Sequence, residues 1–80
     1  MLDGNAIAGL LEEIFGAEMT TAIGVCAHCG ATEPVGALHV FRGAGMVLRC
    51  PHCRNVLAKI VRADARVWLD LRGLQTLAVR

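Results

Sequence analysis

Large aromatic side chains are scarce in this 80-residue chain: Phe15, Phe41 and Trp68 are all it carries. The hydrophobic fraction is 55%, but much of it is alanine, so the core is thin and a chain this short favours an added staple. No stretch approaches the ~18 consecutive apolar residues of a membrane-spanning helix, so no membrane is expected. The opening Met1-Leu2-Asp3-Gly4 lacks the basic region and the following apolar run of a secretory signal. That sets the expectation of a cytoplasmic protein with reduced thiols. No nucleophile–base pair and no glycine-rich phosphate loop occurs, so the chain is not expected to be an enzyme. With no low-complexity linker, it reads as one domain over residues 1–80, helix and connector to residue 24 and a strand-rich part from residue 25.

What is present is a pair of cysteine clasps, Cys26-Ala27-His28-Cys29 and Cys50-Pro51-His52-Cys53, which hold all four cysteines. Two CxxC steps roughly 15–20 residues apart have the spacing of a four-thiolate zinc site. Each clasp turns tightly enough to aim two sulfurs at one point. Placed at the ends of a folded-back hairpin, two of them complete a tetrahedron with Zn–S near ~2.3 Å. One structural Zn²⁺ on Cys26, Cys29, Cys50 and Cys53 is therefore expected. Its apparent binding free energy of about 10–16 kcal/mol would decide whether so small a domain folds.

Other chemistries use similar residues. The CPHC tetrapeptide is also the redox motif of oxidising thioredoxin-fold enzymes, but there a helix N-terminus lowers the pKa of the first cysteine. Here Val56-Leu57-Ala58-Lys59-Ile60-Val61 follows, a strand-forming run. A rubredoxin-like iron electron carrier takes the same four thiolates, but the chain lacks that family's aromatic-rich core and second clasp glycine. A catalytic zinc needs an open coordination position, which four thiolates fill. His28 and His52 hold equivalent places in the two clasps and read as exposed. His39 sits on one face of a strand and reads as a surface or partly buried residue, not a ligand.

Residues 2–16 read as one amphipathic helix, with Ile7, Leu10, Leu11, Ile14 and Phe15 as its apolar stripe. Asp3 suits the N-cap, Leu2 and Ile7 a hydrophobic staple, and Gly16 the left-handed residue after the C-terminus. Gly4 and Gly9 each weaken the helix by about 1 kcal/mol, so its stripe must be buried. The expected host is the chain's own sheet near Val67 and Leu69, with a second chain as the alternative. Ala17 to Gly24 is a connector. Ala37 to Arg42 and Met46 to Arg49 read as a hairpin closed by Gly43-Ala44-Gly45. Val56 to Arg62 is a third strand, Ala63-Asp64-Ala65 a turn, and Arg66 to Leu71 a strand with Val67, Leu69 and Leu71 on one face. Gly73 breaks it, and a short apolar tail from Leu74 could form another strand.

The sequences CAHCG at 26–30 and CPHC at 50–53, with the strand-rich stretch from 37 to 71, resemble a zinc ribbon. The opening LDGNAIAGLLEEIFGAEMTTA at 2–22, followed by a CxHCG clasp, is similar to an uncharacterised bacterial family of short zinc-ribbon proteins. The resemblance implies a small, metal-stabilised α+β fold, an N-terminal amphipathic helix followed by a zinc ribbon of antiparallel β-hairpins. It also implies docking to protein or nucleic acid, with no particular activity. Arg54 stands where a glycine usually follows a CPxC clasp, so the second turn is expected to be tighter or differently shaped.

Charge is segregated. Residues 1–40 carry Asp3, Glu12, Glu13, Glu18 and Glu33 and no lysine or arginine, while residues 41–80 carry seven arginines and Lys59 against Asp64 and Asp70. The two halves can attract each other within one chain or across a homodimer. A basic surface of Arg49, Arg54, Lys59, Arg62, Arg66 and Arg72 around Trp68 could instead meet nucleic acid or an acidic partner. Protein docking is the expected role, by a monomer or homodimer, and nucleic-acid binding is the alternative.

Overall fold

The structure, a computed structural model, describes residues 2–79. Its start differs from the single helix expected. Leu2–Asp3 forms a short strand, β1, followed by a 3₁₀ turn over Gly4–Ile7 and an α-helix, α1, over Ala8–Phe15. Tertiary contact overrides helix propensity here. A Cβ on Gly4 would lie 1.9 Å from the Val35 carbonyl oxygen, so the chain crosses another backbone at Gly4 and cannot begin a regular helix there. The cap expected at Asp3 is present, its Oδ1 accepting from the Ala6 N–H at 3.3 Å. Gly16 ends the helix at φ +72°. Leu2, expected as a staple, instead pairs with Val40.

Two antiparallel sheets follow. Strands β2 (Ile23–Cys26) and β3 (Thr32–Pro34) form a hairpin whose tip is the first clasp. A 3₁₀ turn over Val35–Ala37 leads to β4 (His39–Arg42) and β5 (Met46–Arg49), the hairpin expected, with Arg42 opposite Met46. The second clasp joins β5 to β6 (Val56–Ala63), which turns into β7 (Arg66–Asp70). The last strand, β8 (Leu74–Ala78), returns to β2. The sheet orders are β1-β4-β5-β6-β7 and β3-β2-β8.

The core lies between α1 and the inner face of the larger sheet. Ile7 and Leu11 of the 3₁₀ turn and helix pack with Val40, Leu48, Ala58 and Ile60, the residues whose alternation points them inward, and with Val35 and Leu38. The helix thus docks within its own chain, as expected. Leu69 joins Leu11 and Phe15 around an apolar hollow of about 30 Å³, too small for more than a water-sized guest. Val67, expected beside it, is exposed and borders Glu13 on the surface.

Gly73 ties the two sheets together. Its N–H donates to the Leu57 carbonyl at 3.1 Å, and its carbonyl accepts from the Ala27 N–H of the first clasp at 2.9 Å. A Cβ there would fall 2.0 Å from the Val56 carbonyl oxygen. The residue that reads in sequence as a strand breaker is a crossing point between backbones.

Candidate metal centre

Each clasp is built by the same backbone pattern. In the first, the Cys26 N–H donates to the Ala31 carbonyl at 2.9 Å and the Gly30 N–H to the Cys26 carbonyl at 3.0 Å. In the second, the Cys50 N–H donates to the Asn55 carbonyl at 3.0 Å and the Arg54 N–H to the Cys50 carbonyl at 2.9 Å. The strand register slips between Val25 and Cys26 and again between Leu48 and Arg49. An irregularity beside each leading cysteine re-aims its side chain out of the ladder.

The second clasp was expected to depart in shape because Arg54 replaces glycine. It does not: Arg54 takes φ +66° where Gly30 takes φ +78°. The hydrogen bonds that close the turn hold a non-glycine residue in the left-handed region. The Arg49 guanidinium donates to the Arg54 carbonyl at 2.8 Å and pins the turn further.

The four sulfurs converge. Cys26 Sγ lies 3.6 Å from Cys53 Sγ, Cys29 Sγ lies 3.7 Å from Cys50 Sγ, and all four fall within 4.8 Å of one another. Thiolates bound tetrahedrally at ~2.3 Å from one cation sit ~3.8 Å apart, whereas a disulfide needs about 2.05 Å. The spacing fits a shared cation and excludes disulfide pairing in this arrangement. Cys26 and Cys50 are buried, Cys53 is half-buried and Cys29 is exposed, so each clasp supplies one inner and one outer sulfur.

Backbone N–H groups turn toward the leading sulfurs. His28 and Cys29 donate to Cys26 Sγ at 3.3 and 3.4 Å, and His52 donates to Cys50 Sγ at 3.4 Å. The Asn55 backbone N–H and then its side-chain amide, 3.4 Å from Cys53 Sγ, pull that thiol down to about 6. At Cys29 the Ala31 backbone pulls the same way, but desolvation and the neighbouring Cys50, Cys26 and Cys53 outweigh it and push the thiol up to about 12. Four thiols this close cannot all ionise against one another, and a cation among them removes the conflict. The residues present fit a metal ion.

His28 and His52 are exposed, and neither is in the cysteine cluster. His52 has a role the sequence did not disclose: its Nε2 lies 2.6 Å from Glu33 Oε1 of β3, linking the second clasp to the first hairpin. Only the opposite character of the two side chains hinted at it. His39 is half-buried on β4, opposite Arg49.

The basic residues scatter over several faces. The strand registers align Phe41 with Val47, Val47 with Lys59, Lys59 with Asp70, and Val61 with Trp68. These side chains share the outer face of the larger sheet with Arg49 and Arg66. The Arg49 guanidinium lies 5.8 Å from the Phe41 ring centroid. Arg62 projects to the helix side and meets Glu13 at 2.8 Å, while Arg54 belongs to the clasp. Arg72 lies beyond β7 and pairs with Asp70 at 2.6 Å, holding that carboxyl down at about 2 by hydrogen bonds and charge. The outer face brings together Arg49, Lys59, Arg66 and Trp68 and excludes Arg62.

Among the described residues no helix is long and apolar enough to cross a membrane. Neither a curated protein nor a solved structure matches the chain. A family model does, over residues 1–80, and on that match the chain belongs to DUF6510, a family of unknown function.

Proposed function

We propose that this protein is a non-catalytic zinc-ribbon module in which one structural Zn²⁺ on Cys26, Cys29, Cys50 and Cys53 holds a sheet face for docking an acidic protein segment. The observation that carries the metal is the convergence of sulfurs from both clasps at 3.6 and 3.7 Å. Zinc suits four thiolates in a closed tetrahedron, with no coordination position left for substrate. The docking reading rests on the outer face, where Phe41, Val61 and Trp68 are exposed among Arg49, Lys59 and Arg66. Aromatic and arginine side chains together form the usual anchors of a protein interface. Val47, Val61 and Asp70 on the same face suit a protein segment better than a polyanionic strand, which rewards unbroken positive charge.

Trp68 is the single tryptophan, so its fluorescence reports this face directly. The metal-loaded protein is titrated with an acidic, leucine-containing peptide and, separately, with a single-stranded oligonucleotide. A saturable response to the peptide that Lys59→Glu weakens supports the reading. A response to the oligonucleotide that falls steeply with salt moves the function to nucleic acid, and silence to both removes docking from this face. Native mass spectrometry should find one zinc per chain, and chelation should unfold it. Full structure retained with four free thiols would refute the metal's role.

A further inference from the structure

Strand β7 is one edge of the larger sheet, opposite the two-residue edge strand β1: among the described residues it pairs with β6 alone. Exposed edges are ordinarily blunted by charge, proline or bulges, because their unpaired backbone groups invite another strand. This edge carries charge only at its ends, Arg66 and Asp70, with apolar residues between them. Val67, Trp68, Leu69 and Leu71 are 39%, 59%, 40% and 38% exposed, and they lie within five consecutive residues. Trp68 belongs to the outer face, but Val67 and Leu69 point to the helix side, opposite Arg62 and Ile60 of β6. Docking on the outer face leaves them uncovered.

We propose that β7 pairs antiparallel with β7 of a second copy of this chain, about a two-fold axis through Trp68, joining the two larger sheets into one. The axis stands perpendicular to the sheet, so both helices remain on the same side and facing residues share a face. With Trp68 opposite the partner's Trp68, Arg66 lies opposite the partner's Asp70, and Val67 lies opposite the partner's Leu69. Each of these pairs occurs twice by symmetry. The register is selected by charge. Sliding it so that Val67 faces its own copy leaves Asp70 opposite the partner's β6–β7 turn; sliding it to Leu69 leaves Arg66 beyond the end of the partner's β7. Both alternatives break the two Arg66–Asp70 pairs and shorten the ladder, which disfavours them. Asp70 already accepts from three donors of Arg72, its backbone N–H, Nε and Nη2, and a carboxylate has about four acceptor sites, so one is left for Arg66 of the second copy.

The dimer goes beyond the docking function and is measured without peptide or oligonucleotide, so either idea can fail alone. The experiment is sedimentation equilibrium of the full, metal-loaded chain up to submillimolar concentration. A reversible monomer–dimer equilibrium is expected. Arg66→Asp and Asp70→Arg should each raise the dimer Kd about tenfold or more. The double variant carrying both changes should return it to within about threefold, because the charges are exchanged and not lost. A protein that stays monomeric, a dimer indifferent to both single reversals, or a double variant that fails to recover would each overturn the proposal. Hydrogen exchange on the unsubstituted protein gives a second readout. Amides of residues 66–70 should slow as concentration enters the dimer range, and unchanged exchange while a dimer forms rules out this edge.

Discussion

The most direct test of the clasp geometry is Arg54→Gly. At φ +66° an L side chain crowds the following carbonyl, at a cost of roughly 1–2 kcal/mol. Glycine removes that cost but adds freedom to the unfolded chain, returning about 0.5–1 kcal/mol to the unfolded side. The arginine side chain is exposed, and the bond from Arg49 is to the backbone carbonyl of residue 54, so it survives the substitution. The net expectation is a stabilisation of about 0.5–1 kcal/mol. For a domain of this size that is a rise in Tm of roughly 2–8 °C. If folding is coupled to zinc as proposed, the apparent zinc affinity should rise about 2–5-fold.

Thermal melts at a fixed excess of zinc, followed by Trp68 fluorescence, measure the first quantity; competition with a chromogenic chelator measures the second. Gly30→Ala is the mirror experiment. No atom lies within 4 Å of a Cβ built at Gly30, and the residue sits at φ +78°, so any loss there is conformational and, net of the same unfolded-state offset, should be about 0.5–1 kcal/mol. If Arg54→Gly lowers Tm, or Gly30→Ala leaves it unchanged, the two clasps do not share the left-handed turn described here.

Two further substitutions follow from backbone geometry. Asp64 and Ala65 sit at φ +51° and +60°, a two-residue hairpin turn that favours Asp-Gly; Ala65→Gly should therefore stabilise by about 0.5–1 kcal/mol in a denaturant titration, with an unchanged m-value. Gly73→Ala puts a methyl group 2.0 Å from the Val56 carbonyl oxygen, so it should destabilise by about 1–3 kcal/mol. It should also weaken zinc binding, because the same residue's carbonyl holds the Ala27 N–H of the first clasp.

Much of the larger sheet was legible because its strands alternate. Val40, Leu48, Ala58 and Ile60 are buried while Phe41, Lys59 and Val61 are not, and the Gly43-Ala44-Gly45 loop closes the hairpin where glycine allows it. The convergence of the four cysteines was legible from spacing alone. The smaller sheet was not. Strand β2 contains Gly24 and strand β3 ends on Pro34, so neither shows a periodic signal, and the clasp between them supplies the turn that makes them a hairpin. The first residues misled for a related reason: their apolar stripe is real, but contact between Gly4 and Val35 is set by residues thirty positions away. Arg62 could have been separated from the other basic residues, since it shares its parity with Ile60 and Ala58, both of which are buried.

That second sheet changes what a metal on the clasps would do. The sequence suggests one folded-back hairpin with a clasp at each end, in which a cation would fasten a single element to itself. Instead the first clasp is the tip of β2–β3 and the second is the tip of β5–β6, in different sheets. A cation shared by the four sulfurs would therefore bridge the sheets, beside two other links at the same junction: the Glu33–His52 contact and the paired hydrogen bonds of Gly73. Each clasp places one cysteine in the buried core cluster, Cys26 from one sheet and Cys50 from the other. The cysteine cluster and the apolar core are thus contiguous. Without a cation nothing would bridge the four sulfurs at the seam, and so small a domain has little apolar area with which to hold the sheets together.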